Sequence, residues 1–234
     1  MSTLSLRKIK HDSSSVDNIT LDSSGNVGIN KTTPRATSGF NSLSLNGTDG
    51  SEIWFDAGNT AATRLSGTAS ETRITAQASG SVITMFTGAT ERLRVDNSGR
   101  VTMPYQVSFS AGFSTSYTQL SGVREVQFNY KNFDVGTNFN TSTYRFTAPV
   151  AGKYLMSAFI GSNGSAPANA YFGIAFSVNG VNAGLCWSII ASGYQKDAIT
   201  QLLNLNANDF VSITMEVQNN TTLAVGNFSG HLIG

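Results

Sequence analysis

Glu52 and Asp56 flank Trp54 four residues apart, and two carboxylates beside an aromatic ring are the equipment of glycoside hydrolysis. On a strand the two side chains share a face but lie about 13 Å apart, at ~3.3 Å per residue. A glycosidase pair works over roughly 5–9.5 Å, so within one chain the two are badly placed, and only a pair formed across subunits would serve. His11 and His231 are the only histidines, and nothing near either resembles a metal-ligand spacing. The single cysteine, Cys186, sits in the apolar run Ala183–Ile190 and reads as a buried structural thiol, which excludes a disulfide framework within the chain. No nucleophile elbow, phosphate-cradling glycine loop or zinc motif is present. The sequence therefore points to a protein that is not an enzyme and needs no cofactor or metal ion.

Recognition by exposed loops is the chemistry that remains. Three stretches qualify: 162–170, 192–197 and 218–220. Within them Ser162, Asn163, Tyr194, Gln195, Lys196, Asn219 and Asn220 are the candidate receptor contacts, and Tyr194-Gln195-Lys196 alone joins an aromatic ring to a charge. The sequons at Asn140 and Asn219 are expected by chance in a chain so rich in Asn, Ser and Thr. At the N-terminus Arg7, Lys8 and Lys10 lie among serines. Residues 1–18 hold too little apolar surface to fold alone, so they read as an arm that orders against a larger assembly, with these three cations as anchor candidates.

Composition narrows the class further. Charged residues make up 12% of the 234, against roughly 25% in ordinary soluble proteins. Gly, Ser, Thr and Asn replace them, which suits short strands and tight turns and disfavours helix. A net charge of +1 gives no electrostatic case for nucleic acid or a membrane surface. No segment approaches the ~20 apolar residues of a membrane-spanning helix, and MSTLSLRKIKHD lacks the apolar centre of a signal peptide. The chain is expected to be made in a cytoplasm and to leave it by lysis or assembly.

Positioning falls to β-structure throughout. ITLDSSGNVGIN (19–30) and LRVDNSGRVTMP (93–104) are two copies of one pattern. Each is a hairpin in which Asp22 or Asp96 caps the turn and Gly25 or Gly99 takes its left-handed position. Between the copies come runs of a few alternating residues near 43, 53, 65, 74 and 83. They hold too few large apolar groups to build a core alone. Several chains wrapped together could share one, with Trp54, Phe55, Met85 and Phe86 facing its axis or packing under turns. Pro104 is the seam. Beyond it strands lengthen: 107–111, 126–130, then Phe133–Ile160, where Tyr144, Phe146 and Ala148 alternate inward before Pro149, and Tyr154–Ile160 reads as a long buried strand. Strands follow over 171–181, ending at the Asn179-Gly180 turn, and over 187–190, 199–205, 210–217 and 228–233. Phe146, Tyr154 and Phe228 are the core candidates of a jelly-roll sandwich.

Two resemblances sharpen this. The string Glu91-Arg92-Leu93-Arg94-Val95-Asp96-Asn97-Ser98-Gly99-Arg100-Val101, with its copy at Leu21–Ile29, resembles the repeats in shafts of tailed-phage fibre proteins, especially those of cyanobacterial and marine phages. It covers roughly 19–104 and departs at Thr102-Met103-Pro104, where that family has Gly-Ile-Gly. Residues 107–234 resemble the globular head of the first complement component and the tumour-necrosis-factor-like jelly rolls. The match rests on Phe109-Ser110-Ala111; on Phe139-Asn140, Phe146, Ala148-Pro149, Gly152 and Tyr154; on Leu203-Asn204-Leu205 with Asp209-Phe210-Val211; and on Phe228-Ser229-Gly230 with Leu232-Ile233. It departs at Asn208, where that family has Gly, and it carries no collagen stalk.

These resemblances imply an all-β homotrimer: an N-terminal anchoring arm (1–18), an intertwined short-strand β shaft (19–104) and a jelly-roll head (105–234). The function they imply is a structural virion fibre, assembled in the bacterial cytoplasm. Its partners are itself, other virion proteins through the arm, and a host surface glycan or protein, with no nucleic acid and no membrane insertion. The rivals are a head- or neck-attached fibre or decoration protein, a polysaccharide depolymerase and a secreted ligand.

Overall fold

A computed structural model describes residues 8–9, 19–24, 26–29, 43–46, 49–57, 60–164, 171–189 and 193–234. The chain divides into two compact units, Met1–Met103 and Pro104–Gly234. Every regular element among the described residues is a strand.

The first unit holds three small sheets. β1 (Lys8–Ile9), β2 (Ile19–Leu21), β3 (Val27–Ile29) and β4 (Leu43–Leu45) pair in that order, the last two in parallel. β5 (Ser51–Ala57), β6 (Thr60–Gly67) and β7 (Thr72–Ala76) form a meander. β8 (Ile83–Thr87) and β10 (Val101–Thr102) flank β9 (Thr90–Val95). The two repeat copies make the same turn. Asp22 Oδ1 accepts from the Ser24 and Asn26 backbone N–H groups at 2.9 and 2.8 Å, and Asp96 Oδ1 accepts from those of Ser98 and Arg100 at 2.9 and 3.0 Å. Gly99 holds φ = 79°, which a side chain resists. The Arg100 backbone N–H, followed by its guanidinium, holds the Asp96 carboxyl below the usual carboxylate range.

The second unit comprises β11 (Ser108–Gly112), β12 (Tyr117–Gln119), β13 (Gly122–Glu125), β14 (Tyr130–Val135), β15 (Phe139–Asn140), β16 (Arg145–Thr147), β17 (Gly152–Ser162), β18 (Tyr171–Val178), β19 (Val181–Ile189), β20 (Lys196–Leu205), β21 (Phe210–Val217) and β22 (Thr221–Leu232). One sheet runs β14-β11-β22-β17-β20 with β12 beside β22. The other runs β15-β16-β21-β18-β19 with β13 beside β21. Strands pair from the outside inward along the chain: β11 with β22, β16 with β21, β17 with β20, β18 with β19. That nesting is one long hairpin rolled over two sheets, the jelly roll.

Alternation decides what lies between the sheets. Tyr154, Met156, Ala158 and Ile160 of β17 face Phe172, Ile174 and Phe176 of β18 and Val211, Ile213, Met215 and Val217 of β21, all in one buried cluster. Phe109 anchors its aromatic part, stacked 4.6 Å from Phe146 and edge-on to Phe228 at 4.9 Å. The Tyr154 hydroxyl donates to the Val150 carbonyl at 2.8 Å, so the buried phenol keeps its hydrogen bond. Gly230 has a packing reason: a Cβ there would run into Met156 Sδ and the Phe109 ring. The Asn179-Gly180 turn takes φ = 51° and 85°, and Asn208 carries φ = 72°, a conformation asparagine tolerates.

Four expectations need correction. Residues 126–129 are not a strand: β13 ends at Glu125, and the chain crosses to the other sheet, where β14 begins at Tyr130, with Val126 and Phe128 both buried in the core. Tyr144 does not alternate with Phe146, because it closes a turn at φ = 59°. Residues 154–160 are buried on one face only, with Leu155 and Phe159 exposed on the other. Cys186 is half-buried at the rim of the core instead of within it.

Candidate functional site

The loop residues singled out from sequence divide into contacts and braces. Ser162, expected in a loop, is the buried last residue of β17, and its Oγ accepts the Gln195 backbone N–H at 2.9 Å. Gln195 is also internal in its bonding. Its Nε2 donates to Ser188 Oγ at 2.6 Å and to Asp197 Oδ1 at 3.0 Å, while Ser188 Oγ donates to Asp197 Oδ2 at 2.9 Å. This network satisfies the 7%-exposed Asp197 carboxylate, so Ser162 and Gln195 hold the end of the sandwich together. Asn163 is exposed and ties back through its N–H to the Thr222 carbonyl at 3.1 Å. Tyr194 is 78% exposed, its ring beside Gly164, and Lys196 is exposed next to it. Asn219 and Asn220 are exposed too, although the Asn220 Oδ1 accepts the Ser121 N–H at 2.9 Å. Asn163, Tyr194 and Lys196 thus share one end of the head, with the 218–222 turn joined to them through Thr222. Residues 165–170 and Ser192 lie outside the described residues. So do Arg7 and Lys10, while Lys8 stands on β1.

Asp49, Glu52 and Glu71 line one groove of the N-terminal unit together with Arg64 and Arg73. Glu52 is engaged with Arg64 at 3.2 Å, and the Arg64 guanidinium lies 5.2 Å from the Trp54 ring centre. Among the described residues no group of His, Cys, Asp and Glu could hold a metal ion. His231 is exposed on β22, opposite Ser108 and Leu155.

Apolar surface is what sequence reasoning passed over. Directly opposed residues share a face, so register sorts each small sheet. Ile53, Phe55, Leu65 and Ile74 lie together on β5–β7, and Glu52, Trp54, Arg64 and Arg73 lie on the reverse. Ile83, Met85, Leu93, Val95 and Val101 share a face on β8–β10, with Thr84, Arg94 and Thr102 behind. On β1–β4 the apolar face is Ile9, Ile19, Leu21, Val27, Ile29, Leu43 and Leu45. Of the four large groups expected at the shaft axis, only Phe55 and Met85 lie on such a face. Trp54 stands on the charged side beneath Arg64, and Phe86 follows a register shift in β8.

The head carries two patches of its own. Leu155, Phe159, Leu202 and Val225 are exposed on the outer face of the β17–β20–β22 sheet. Leu185, Trp187 and Ile189 line β19 at the edge of the other sheet. Period-two alternation with apolar residues on both faces of a strand was the signal that would have marked them.

No protein-family model and no curated protein matches the chain. Among solved structures it is similar to the globular domain of zebrafish complement 1qA at 23% identity and TM-score 0.46, over 55% of this chain and 98% of that one. It is similar to murine APRIL at 12% identity and TM-score 0.44, over 54% and 99%, and to Eiger TNF from S. frugiperda at 9% identity and TM-score 0.44, over 55% and 93%.

Proposed function

We propose that the chain is a non-enzymatic homotrimeric fibre of a tailed-phage virion, with an N-terminal arm for attachment, a shaft of shared sheets and a jelly-roll head that meets the host surface. One observation carries it: the apolar side of each small sheet leaves large residues exposed, Leu21 and Leu43 on the first, Phe55 and Ile74 on the second, Met85 and Val101 on the third. Phe55 is 53% and Ile74 54% exposed in a single chain, while the charged side of the same sheet is suited to water. Contiguous apolar faces of this kind mark interaction surfaces, and a second and third copy supply the same face in register.

The head supports a ring over a pair. Its two apolar patches differ in composition and lie on different sheets, so one patch of each copy can meet the other patch of the next. Such head-to-tail contacts close into cyclic assemblies. The phage setting is supported by the Glu-Arg-Leu-Arg-Val-Asp-Asn-Ser-Gly repeat, and the pairing of Glu52 with Arg64 supports a binding role over glycan cleavage.

Light scattering at micromolar concentration tests the assembly: a trimer mass is expected, and a monomer sinks the shared-sheet reading. Antibody against residues 1–18, imaged on intact particles by electron microscopy, tests the setting. Label at the tail supports the receptor-binding fibre, and label at the head or neck replaces it with a decoration fibre. Release of soluble sugar from host polysaccharide would overturn the non-enzyme reading.

A further inference from the structure

A cleft of about 370 Å3 opens at one side of the head, where β12 of one sheet meets β13 of the other. Tyr117, Gln119, Arg124, Glu125, Gln127 and Tyr144 line it. Three of these side chains are fixed in place, those of Tyr117, Gln119 and Glu125. The Tyr117 hydroxyl donates to Gln119 Oε1 at 3.2 Å and accepts the Gln127 backbone N–H at 2.9 Å. Glu125 Oε1 takes Arg145 Nη2 at 2.8 Å, Arg145 Nε at 3.1 Å and Ser212 Oγ at 3.0 Å, so its charge is matched and the carboxylate is locked. Three side chains are uncommitted among the described residues: the exposed Arg124 guanidinium, the exposed Gln127 amide and the Tyr144 hydroxyl.

Tyr144 is the unusual residue. At φ = 59° it occupies the left-handed region that a bulky L side chain resists, where the head otherwise uses glycine or asparagine, Thr137 excepted. A strained backbone that keeps an aromatic ring at a cleft is an observation from which function can be inferred. The rest of the lining fits one ligand chemistry. Phenol rings offer an apolar face with a polar tip, planar amides and a guanidinium present paired donors and acceptors, and the net unmatched charge is the one cation of Arg124.

We infer that this cleft is a saccharide subsite that takes a sugar carrying a carboxylate, with Tyr144 against the ring and Arg124 on the acid. It deepens, and rests on, the reading of the head as the part that meets the host surface.

The test uses full-length protein on immobilised uronate-containing, sialylated and uncharged oligosaccharides. Binding to a carboxylated set is expected. Tyr144→Gly and Arg124→Gln should each weaken it about tenfold or more, the loss of one charge-assisted or well-placed hydrogen bond. Both variants should melt no lower than the parent, since glycine relaxes the backbone at 144 and Arg124 is exposed. Binding to uncharged sugars alone, no binding on any set, or undiminished binding by both folded variants would overturn the assignment. Fluorescent parent protein on host cells runs alongside. Coated cells with a blank array remove the cleft and leave the host-contact reading, whereas a bound array with bare cells removes the host-contact reading and leaves the cleft.

Discussion

In the head, the apolar side of each central strand meets another apolar side from the same chain; in the N-terminal unit large residues on the apolar sides stay exposed among the described residues. Phe146 is 1% exposed against Phe109, whereas Ile74, on a strand of equally clean alternation, is 54% exposed. Both obey the same period of two. The difference lies in chain length per sheet: β16 to β22 return over one another, while β5 to β7 are a meander with no second layer of their own. Alternation therefore states which side of a strand avoids water, and connectivity states whether the chain can supply the cover itself.

That contrast can be broken most sharply in the N-terminal unit. Leu65→Asp with Ile74→Asp places two charges on the proposed shared face, where burying an unpaired carboxylate is strongly unfavourable. The trimer should fall to monomer by light scattering while the head keeps its melting transition. A trimer that persists would put this face outside the assembly. In the head, Phe146→Ala should lower stability by about 3–5 kcal/mol in chemical denaturation and leave the oligomeric mass unchanged. Loss of the trimer instead would mean that the head's own core governs association.

A smaller effect separates the units by pH. Burial pushes the Tyr117 phenol up to about 12, the neighbouring Tyr144 phenol acting in the same direction. Unfolded, it ionises near 10. The folded state therefore holds its proton longer, and stability present below pH 10 is lost as pH rises from about 10 to 12, by up to about 2 kcal/mol. Tyr117→Phe should flatten that part of the head's alkaline melting curve, and an unchanged slope would place the loss elsewhere. The smallest expected change is at the repeat. Asp96→Ala removes two backbone caps and should loosen its hairpin, seen as faster amide exchange at Ser98 and Arg100. Unaltered exchange there would show that Gly99 alone sets the turn.

Features governed by neighbours in sequence were readable in advance. The Asp-x-Ser-Gly turn is built from contacts two and four residues apart, and Phe146 and Ala148 turn inward by alternation. What distant strands decide was not. Ser162 looks like loop until Gln195 is seen bonded to it. Val126 and Phe128 look like strand, because a crossing between sheets also points alternate residues inward. Of the recognition candidates, Asn163, Tyr194, Lys196, Asn219 and Asn220 are exposed, but the Tyr117–Tyr144 cleft joins residues from three separate segments, and no local pattern marks it.

The nesting of the head's strands also orders events during synthesis. β22, the last strand of the head in chain order, is a central strand, with β11 on one side and β17 on the other. The β18–β19 hairpin, joined by Asn179-Gly180, can close early, since its pairs are local. The β11–β22 pair bridges nearly the whole unit, and closing so long a loop is slow. Each nascent head thus stays unsealed until β22 has been made. Truncation before Phe228 would strip Phe228 and Gly230 from the middle of a sheet, so such a chain should fail to fold rather than fold with a frayed edge.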